Sequence, residues 1–264
     1  MVDFEYKDRY DLNDFRKIME ILRSEEGCPW DREQTHESIR RNVLEEAYEL
    51  CEAIDQADPV HMCEELGDLQ MQIFFHARME EEKGGFNVDD VADGACKKLI
   101  LRHPHVFGDT QVADSGEVLR NWDAIKRIEK SQTTTATAMQ DVSETLPALW
   151  RAEKVQKKAK KVGFDWPDMS GALDKLCEEL VEFQEALDEK DPDHIEEEFG
   201  DLLFAAVNAA RFAGVDPEKA LHRSCVKFIN RFRYLEDAAR AEGRDLETMT
   251  LEEMDALYEE AKKR

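Results

Sequence analysis

Glycine and proline are scarce, 12 and 7 in 264 residues. That is too few for a sandwich or barrel that must turn about every ten residues. The six cysteines (Cys28, Cys51, Cys63, Cys96, Cys177, Cys225) form neither a CxxC pair nor a Cys/His cluster at zinc spacing, which excludes zinc ribbons and dithiol redox motifs and fits reduced thiols. No run of about twenty apolar residues is present to span a bilayer. The opening MVDFEYKDRY is charged throughout and lacks the apolar core of a signal peptide. P-loop, GxGxxG, HExxH and Nudix-helix patterns are all missing. Positive charge is also short: 36 Lys and Arg face 61 Asp and Glu, a formal charge of −25. Such a surface repels nucleic acid and anionic membranes. The expectation is an all-α, cytoplasmic protein with no nucleic-acid or membrane partner.

What the chain does contain is 42% hydrophobic and 37% charged residues, enough for a core beneath a charged surface, and an internal repeat. LEEAYELCEAIDQADPVHMCEELGDL (44–69) aligns without gaps to CEELVEFQEALDEKDPDHIEEEFGDL (177–202). More than half of the positions are identical, and most of the identities are Glu or Asp. Each copy reads as helix, turn, helix. Leu44, Tyr48, Cys51 and Ala53–Ile54 have the spacing of a buried stripe. Asp58-Pro59 and Asp191-Pro192 restart a helix, with Asp as N-cap and Pro at the first helical position. A tryptophan-bearing turn precedes each copy, Gly27-Cys-Pro-Trp30-Asp31 and Gly163-Phe-Asp-Trp166-Pro-Asp168, and a further helix follows. Four helices per copy predict a tandem of two bundle-like domains, residues 1–130 and 146–264. The Thr-rich segment 131–145 is the expected linker.

The shared carboxylates carry the chemistry. Glu45, Glu46 and Glu49 follow EExxE, as do Glu178, Glu179 and Glu182; Glu65/Asp68 and Glu198/Asp201 follow ExxD. Residues three apart project from one helix face, and these pairs interrupt an otherwise apolar face of Leu180, Phe183, Leu187, Phe199, Leu202 and Leu203. Carboxylates converging there repel and desolvate at high cost unless a cation joins them. A hard divalent ion with oxygen ligands resolves the conflict, and Mg²⁺ suits because it keeps water and phosphate oxygens as its other ligands. Glu33-x-x-His36 has the spacing of a di-iron motif but no counterpart in the second copy, so it reads as coincidence.

EExxE followed by ExxD, with the strings GCPWDREQTHESI, EELGDL and LILRHPHVFGD, resembles the all-α nucleoside triphosphate pyrophosphohydrolases, in particular the MazG branch, over nearly the whole chain. The resemblance implies a bundle assembled as a homodimer. It also implies Mg²⁺, with Mn²⁺ as a substitute, and the reaction NTP + H₂O → NMP + pyrophosphate with broad base tolerance, serving nucleotide-pool control. Carried onto this chain, Glu179, Glu182, Glu198 and Asp201 would hold metal, and Glu178 would position or deprotonate the attacking water. Lys175, His194, Glu197, Lys227, Arg231 and Tyr258 would contact the nucleotide. His194 stands where some relatives carry lysine, and Tyr258 where tryptophan is common. The second copy is favoured as catalytic. The first keeps Glu46, Glu49, Glu65 and Asp68, with Lys98, Arg102 and Lys126 as anion-binding candidates, and reads either as a second site or as a structural domain. Two other classes remain in play: a sensor that binds Mg–NTP without turnover, and a helical scaffold.

Overall fold

A computed structural model describes residues 4–263 and contains helices with no strand among them. The chain divides into two units, residues 1–126 and 127–264. The first holds α1 (Leu12–Leu22), α2 (Pro29–Glu33), α3 (Arg40–Gln56), α4 (Pro59–Glu82), α5 (Val88–Arg102) and α6 (Pro104–Phe107), and α7 (Ser115–Glu129) crosses the division. The second holds α8 (Thr135–Gln140), α9 (Ala148–Lys160), α10 (Met169–Glu189), α11 (Pro192–Phe212), α12 (Pro217–Ala241), a 3₁₀ turn (Leu246–Thr248) and α13 (Leu251–Ala261).

At the centre of each unit is the repeated hairpin, α3–α4 or α10–α11. Its turn is built the same way twice. The first arm ends on a left-handed residue, Ala57 (φ 55°) or Lys190 (φ 60°), which stops the helix. Asp58 then caps α4 by accepting from the Val60 and His61 amides, and Asp191 caps α11 by accepting from Asp193. Pro59 and Pro192 occupy the first helical position, where no amide hydrogen is needed. Ala53 and its counterpart Ala186 are both fully buried; the absence of a larger side chain lets the two arms approach near the turn.

Around the first hairpin, Met19, Ile39, Phe74, Phe75 and Met79 form a core, with Phe15 stacked on Phe74 at 4.9 Å. Arg23 closes it, pairing with Glu82 and donating to the Asp31 and Gln34 carbonyls, so that α1 and the Trp30 turn are tied to α4. In the second unit the corresponding tie runs the other way: Arg211 of α11 pairs with Asp165 in the Trp166 turn, with the Arg211 side chain buried and Asp165 partly so.

Two sequence expectations change. Of the predicted buried stripe only Ala53 is buried; Leu44, Tyr48, Cys51 and Ile54 are exposed. Leu180, Leu187, Phe199 and Leu203 of the second hairpin are likewise about half open. The periodicity identified an apolar face correctly, but within its own unit the described residues leave much of it exposed. The Thr-rich segment is also not a bare linker. Thr134 caps α8 by accepting from Thr137, and Gln132, Ala138 and Val142 are buried against the second unit. The division itself falls a few residues earlier, after Lys126.

Candidate metal centre

The hairpins bring carboxylates from both arms together. In the first copy Glu46 and Glu49 of α3 meet Glu65 of α4, each offering an oxygen within 4.8 Å of the others. In the second, Glu179 and Glu182 of α10 meet Glu198 of α11 within the same limit. Antiparallel arms joined by a tight turn place residues equidistant from that turn side by side, which is why EExxE and ExxD must keep their separation. Asp68 and Asp201 lie one helical turn beyond these triads and outside them. Asp68 is near enough for its charge to act on Glu46; Asp201 is exposed.

Electrostatics mark both clusters. Burial is the main cause that pushes the Glu46 carboxyl above its ordinary range, and the charges of Asp68, Glu49 and Glu65 add to it. Burial also raises Glu182, reinforced by Glu179 and Glu178 against the opposing Lys175. Glu65 is only 6% exposed; His61 holds its Oε1 at 3.0 Å, and its buried Oε2 has no partner. A buried carboxylate oxygen left unpaired is costly. The triad's three hard oxygen donors suit Mg²⁺ or Mn²⁺ rather than a thiophilic ion, so the residues fit the metal that the sequence implies.

The second centre carries the same histidine and an additional cation. His194 lies between Glu189 (2.9 Å) and Glu198 (3.2 Å); the Glu189 hydrogen bond first, and Glu198 after it, raise its pKa. Lys175 Nζ is 2.6 Å from Glu178, 2.7 Å from Glu179 and 3.8 Å from Glu182. Hydrogen bonds to Glu178 and then Glu179 hold its ammonium well above the ordinary lysine range. Glu197 is exposed on α11.

Other predicted residues gather elsewhere. Arg231 of α12 lies over the Tyr258 ring of α13 at 5.9 Å, with Phe228 beside it at 5.7 Å. Lys227, one turn earlier on α12, is exposed. In the first unit Lys98 is exposed on α5, Arg102 lies 5.9 Å over Trp122, and Lys126 follows one turn later on α7. Sequence reasoning missed Gln72, whose amide reaches toward Glu46 at 3.5 Å. Its signal was available: Gln72 is seven residues after Glu65 on the same helix face, and Ala205 stands in its place in the second copy. It also missed the partners of His36, which bonds to His76 and Glu80, both at 2.7 Å, rather than to the carboxylate centre.

A helical hairpin that joins carboxylates from both arms, built twice in one chain, defines a duplicated helical protein with two clusters of oxygen donors that could hold a metal ion. The chain belongs to the MazG family: the model of the MazG nucleotide pyrophosphohydrolase domain matches it twice, over residues 34–107 and 169–235. It is 46% identical over 245 residues to the nucleoside triphosphate pyrophosphohydrolase/pyrophosphatase MazG of Thermotoga maritima, covering 93% of each chain. To the nucleoside triphosphate pyrophosphohydrolase of Escherichia coli K12 it is 42% identical over 249 residues, covering 93% of this chain and 95% of that one. It is also 48% identical over 254 residues to the uncharacterized protein YabN of Bacillus subtilis, spanning 96% of its own length and 52% of that protein. Among the described residues no helix is long and apolar enough to cross a membrane.

Proposed function

We propose that the chain hydrolyses nucleoside triphosphates between the α- and β-phosphorus, NTP + H₂O → NMP + pyrophosphate, at the second carboxylate centre. The observation that carries this is the Glu179–Glu182–Glu198 triad, in a chain whose relatives are named for that reaction. Mg²⁺, or Mn²⁺ in its place, would be held by these residues with Asp201, and would polarise phosphate oxygens and acidify bound water. Glu178, more than half exposed and adjacent to Glu179, is the base that accepts the proton of the attacking water. Lys175 and the Lys227–Arg231 pair neutralise phosphate oxygens, Arg231 with its planar fork. Tyr258 offers a face for the base. A stacked ring discriminates little among bases, in keeping with broad base tolerance and a role in clearing the nucleotide pool. His194 serves the metal more than the phosphate, by orienting Glu198, and Glu197 lies at the solvent edge of the nucleotide site.

The working form is a homodimer. The chain exposes 18780 Å², whereas even two separate compact units of half its mass would expose about 14,000 Å² together. The excess lies on apolar helix faces: residues 91–100 of α5 and 221–230 of α12 are exposed throughout, including Leu99, Ile100, Leu221, Phe228 and Ile229. A second copy packed on these helices would bury them.

The test is pyrophosphate release from a panel of NTPs and dNTPs with Mg²⁺. Glu182→Gln is expected to abolish release while Glu49→Gln leaves most of it. Loss with Glu49→Gln alone moves the chemistry to the first copy. Binding of Mg–NTP without release from any substrate replaces the hydrolase with a sensor.

A further inference from the structure

The two centres share their carboxylates and their histidine but differ in one cation. In the second centre Lys175, one turn before Glu179 on α10, folds back so that its ammonium reaches Glu178, Glu179 and Glu182. The corresponding position in the first copy is Asn42. The nearest helix cation there, Arg41, is one residue earlier, about a hundred degrees round the helix. It pairs with Glu45 and is 85% exposed, so it does not enter the triad. The first centre therefore has no counterpart of Lys175; His61 lies on one Glu65 oxygen, and the other, buried Oε2 is unpartnered.

A divalent ion entering the second triad meets a positive charge already bonded to one of its ligands, Glu179, and 3.8 Å from another, Glu182. The two cations repel, so Lys175 must leave, and it leaves the carboxylates for water at a loss unless an anion receives it. A polyphosphate supplies both needs: oxygens for the metal and an acceptor for the ammonium. At the first centre no counterpart of Lys175 has to be displaced.

We propose that Lys175 is a displaceable counter-ion that makes metal loading of the second centre conditional on a bound polyphosphate, while the first centre takes a divalent ion without nucleotide. This rests on the reading of both triads as metal centres. Metal and nucleotide then bind the second centre as a coupled pair, each raising affinity for the other by the same factor. Free metal does not sit there in wait, and an arriving triphosphate completes its own site.

The experiment counts Mn²⁺ bound to the full chain by the electron paramagnetic resonance of the free ion, with and without α,β-methylene ATP, which cannot be cleaved at the bond in question. Without the analogue, the tight Mn²⁺ site is expected to vanish in Glu49→Gln and to survive in Glu182→Gln. With it a second site appears, and Glu182→Gln removes that one. Lys175→Met, which keeps the aliphatic stem, is expected to tighten Mn²⁺ at the second centre without the analogue by about tenfold, the scale of one lost charge contact in a half-exposed site; Lys175→Arg keeps the wild-type pattern. If both centres fill alike without the analogue, or Lys175→Met leaves Mn²⁺ binding unchanged, the counter-ion role is wrong while the metal reading stands. If no Mn²⁺ binds at either triad under any condition, the metal reading itself falls.

Discussion

Glu65→Gln tests whether the first triad is a charge problem that awaits a metal. Glu65 is 6% exposed, has one oxygen on His61 and the other unpartnered, and lies within 4.8 Å of oxygens of Glu46 and Glu49. At an effective dielectric near 20 a charge pair at that distance repels by roughly 3 kcal/mol. Glu49 is exposed and Glu46 half-buried, so screening reduces each pair to about 1 kcal/mol. The glutamine keeps an oxygen for His61 and gains an amide that can donate to Glu46. Without metal, Glu65→Gln should therefore stabilise the first unit by about 1–2 kcal/mol, an upward shift of about 3–6 °C in its melting temperature. The same change should remove the stabilisation by Mg²⁺, which for a site at a hundredfold excess over Kd is about 2.7 kcal/mol. Scanning calorimetry in EDTA and in Mg²⁺ measures both. A lower metal-free melting temperature together with an intact Mg²⁺ shift would refute the reasoning, because Glu65 would then be a satisfied structural carboxylate.

Arg211→Ala leaves the partly buried Asp165 without its partner and should cost about 2–3 kcal/mol by denaturant unfolding. Burial pushes Asp165 up, but the Arg211 hydrogen bond and charge outweigh it and hold the carboxyl below its usual range. The stability from that pair is thus present above about pH 4 and lost as pH falls through the lowered value; urea midpoints between pH 5 and 2.5 should show it in wild type and not in Arg211→Ala. His194 is shifted the opposite way: its contribution is full below about pH 6.5 and fades as pH rises through the raised value. Melting curves of His194→Asn should accordingly lose a stabilisation that wild type shows at pH 6 and lacks at pH 9. Gly27→Ala puts a methyl carbon 2.1 Å from the Ile21 carbonyl oxygen and 2.4 Å from that of Leu22. Backbone must move, so the expected loss is about 2 kcal/mol or more, and an unchanged urea midpoint would show that the turn gives way freely.

Periodicity, caps and the repeat made the hairpins legible, because those features are local: Asp-Pro restarts a helix wherever it stands, and the spacing from EExxE to ExxD is a distance along the chain. The carboxylate triads followed from the same spacing once two arms were known to meet. Burial was not legible. An apolar stripe says that a face is to be covered and nothing about whether the same chain covers it, which is why Leu44, Tyr48 and Ile54 emerge exposed. The Arg23–Glu82, Arg211–Asp165 and His36–His76 contacts were hidden for another reason. Each joins residues from 40 to 59 positions apart, and no local pattern distinguishes such an arginine or histidine from one on the surface.

On the proposed reading, the difference in binding order between the two centres traces to the place of a single helix cation. Moving the helix cation by one position, from Lys175 in the second copy to the place held by Arg41 in the first, rotates it from the triad to solvent without altering the hairpin or any carboxylate. Exchanging the two arrangements is the direct test. Asn42→Lys should place an ammonium on Glu46 and bring Mn²⁺ at the first centre under the control of a polyphosphate, weakening its nucleotide-free binding by about tenfold. Its stem needs only the space before Glu46 that Lys175 uses before Glu179. If Asn42→Lys folds and binds Mn²⁺ as wild type does, a lysine one turn ahead of EExxE is not sufficient to gate a triad, and the control must lie in residues that the two copies do not share, Gln72 and Ala205 first among them.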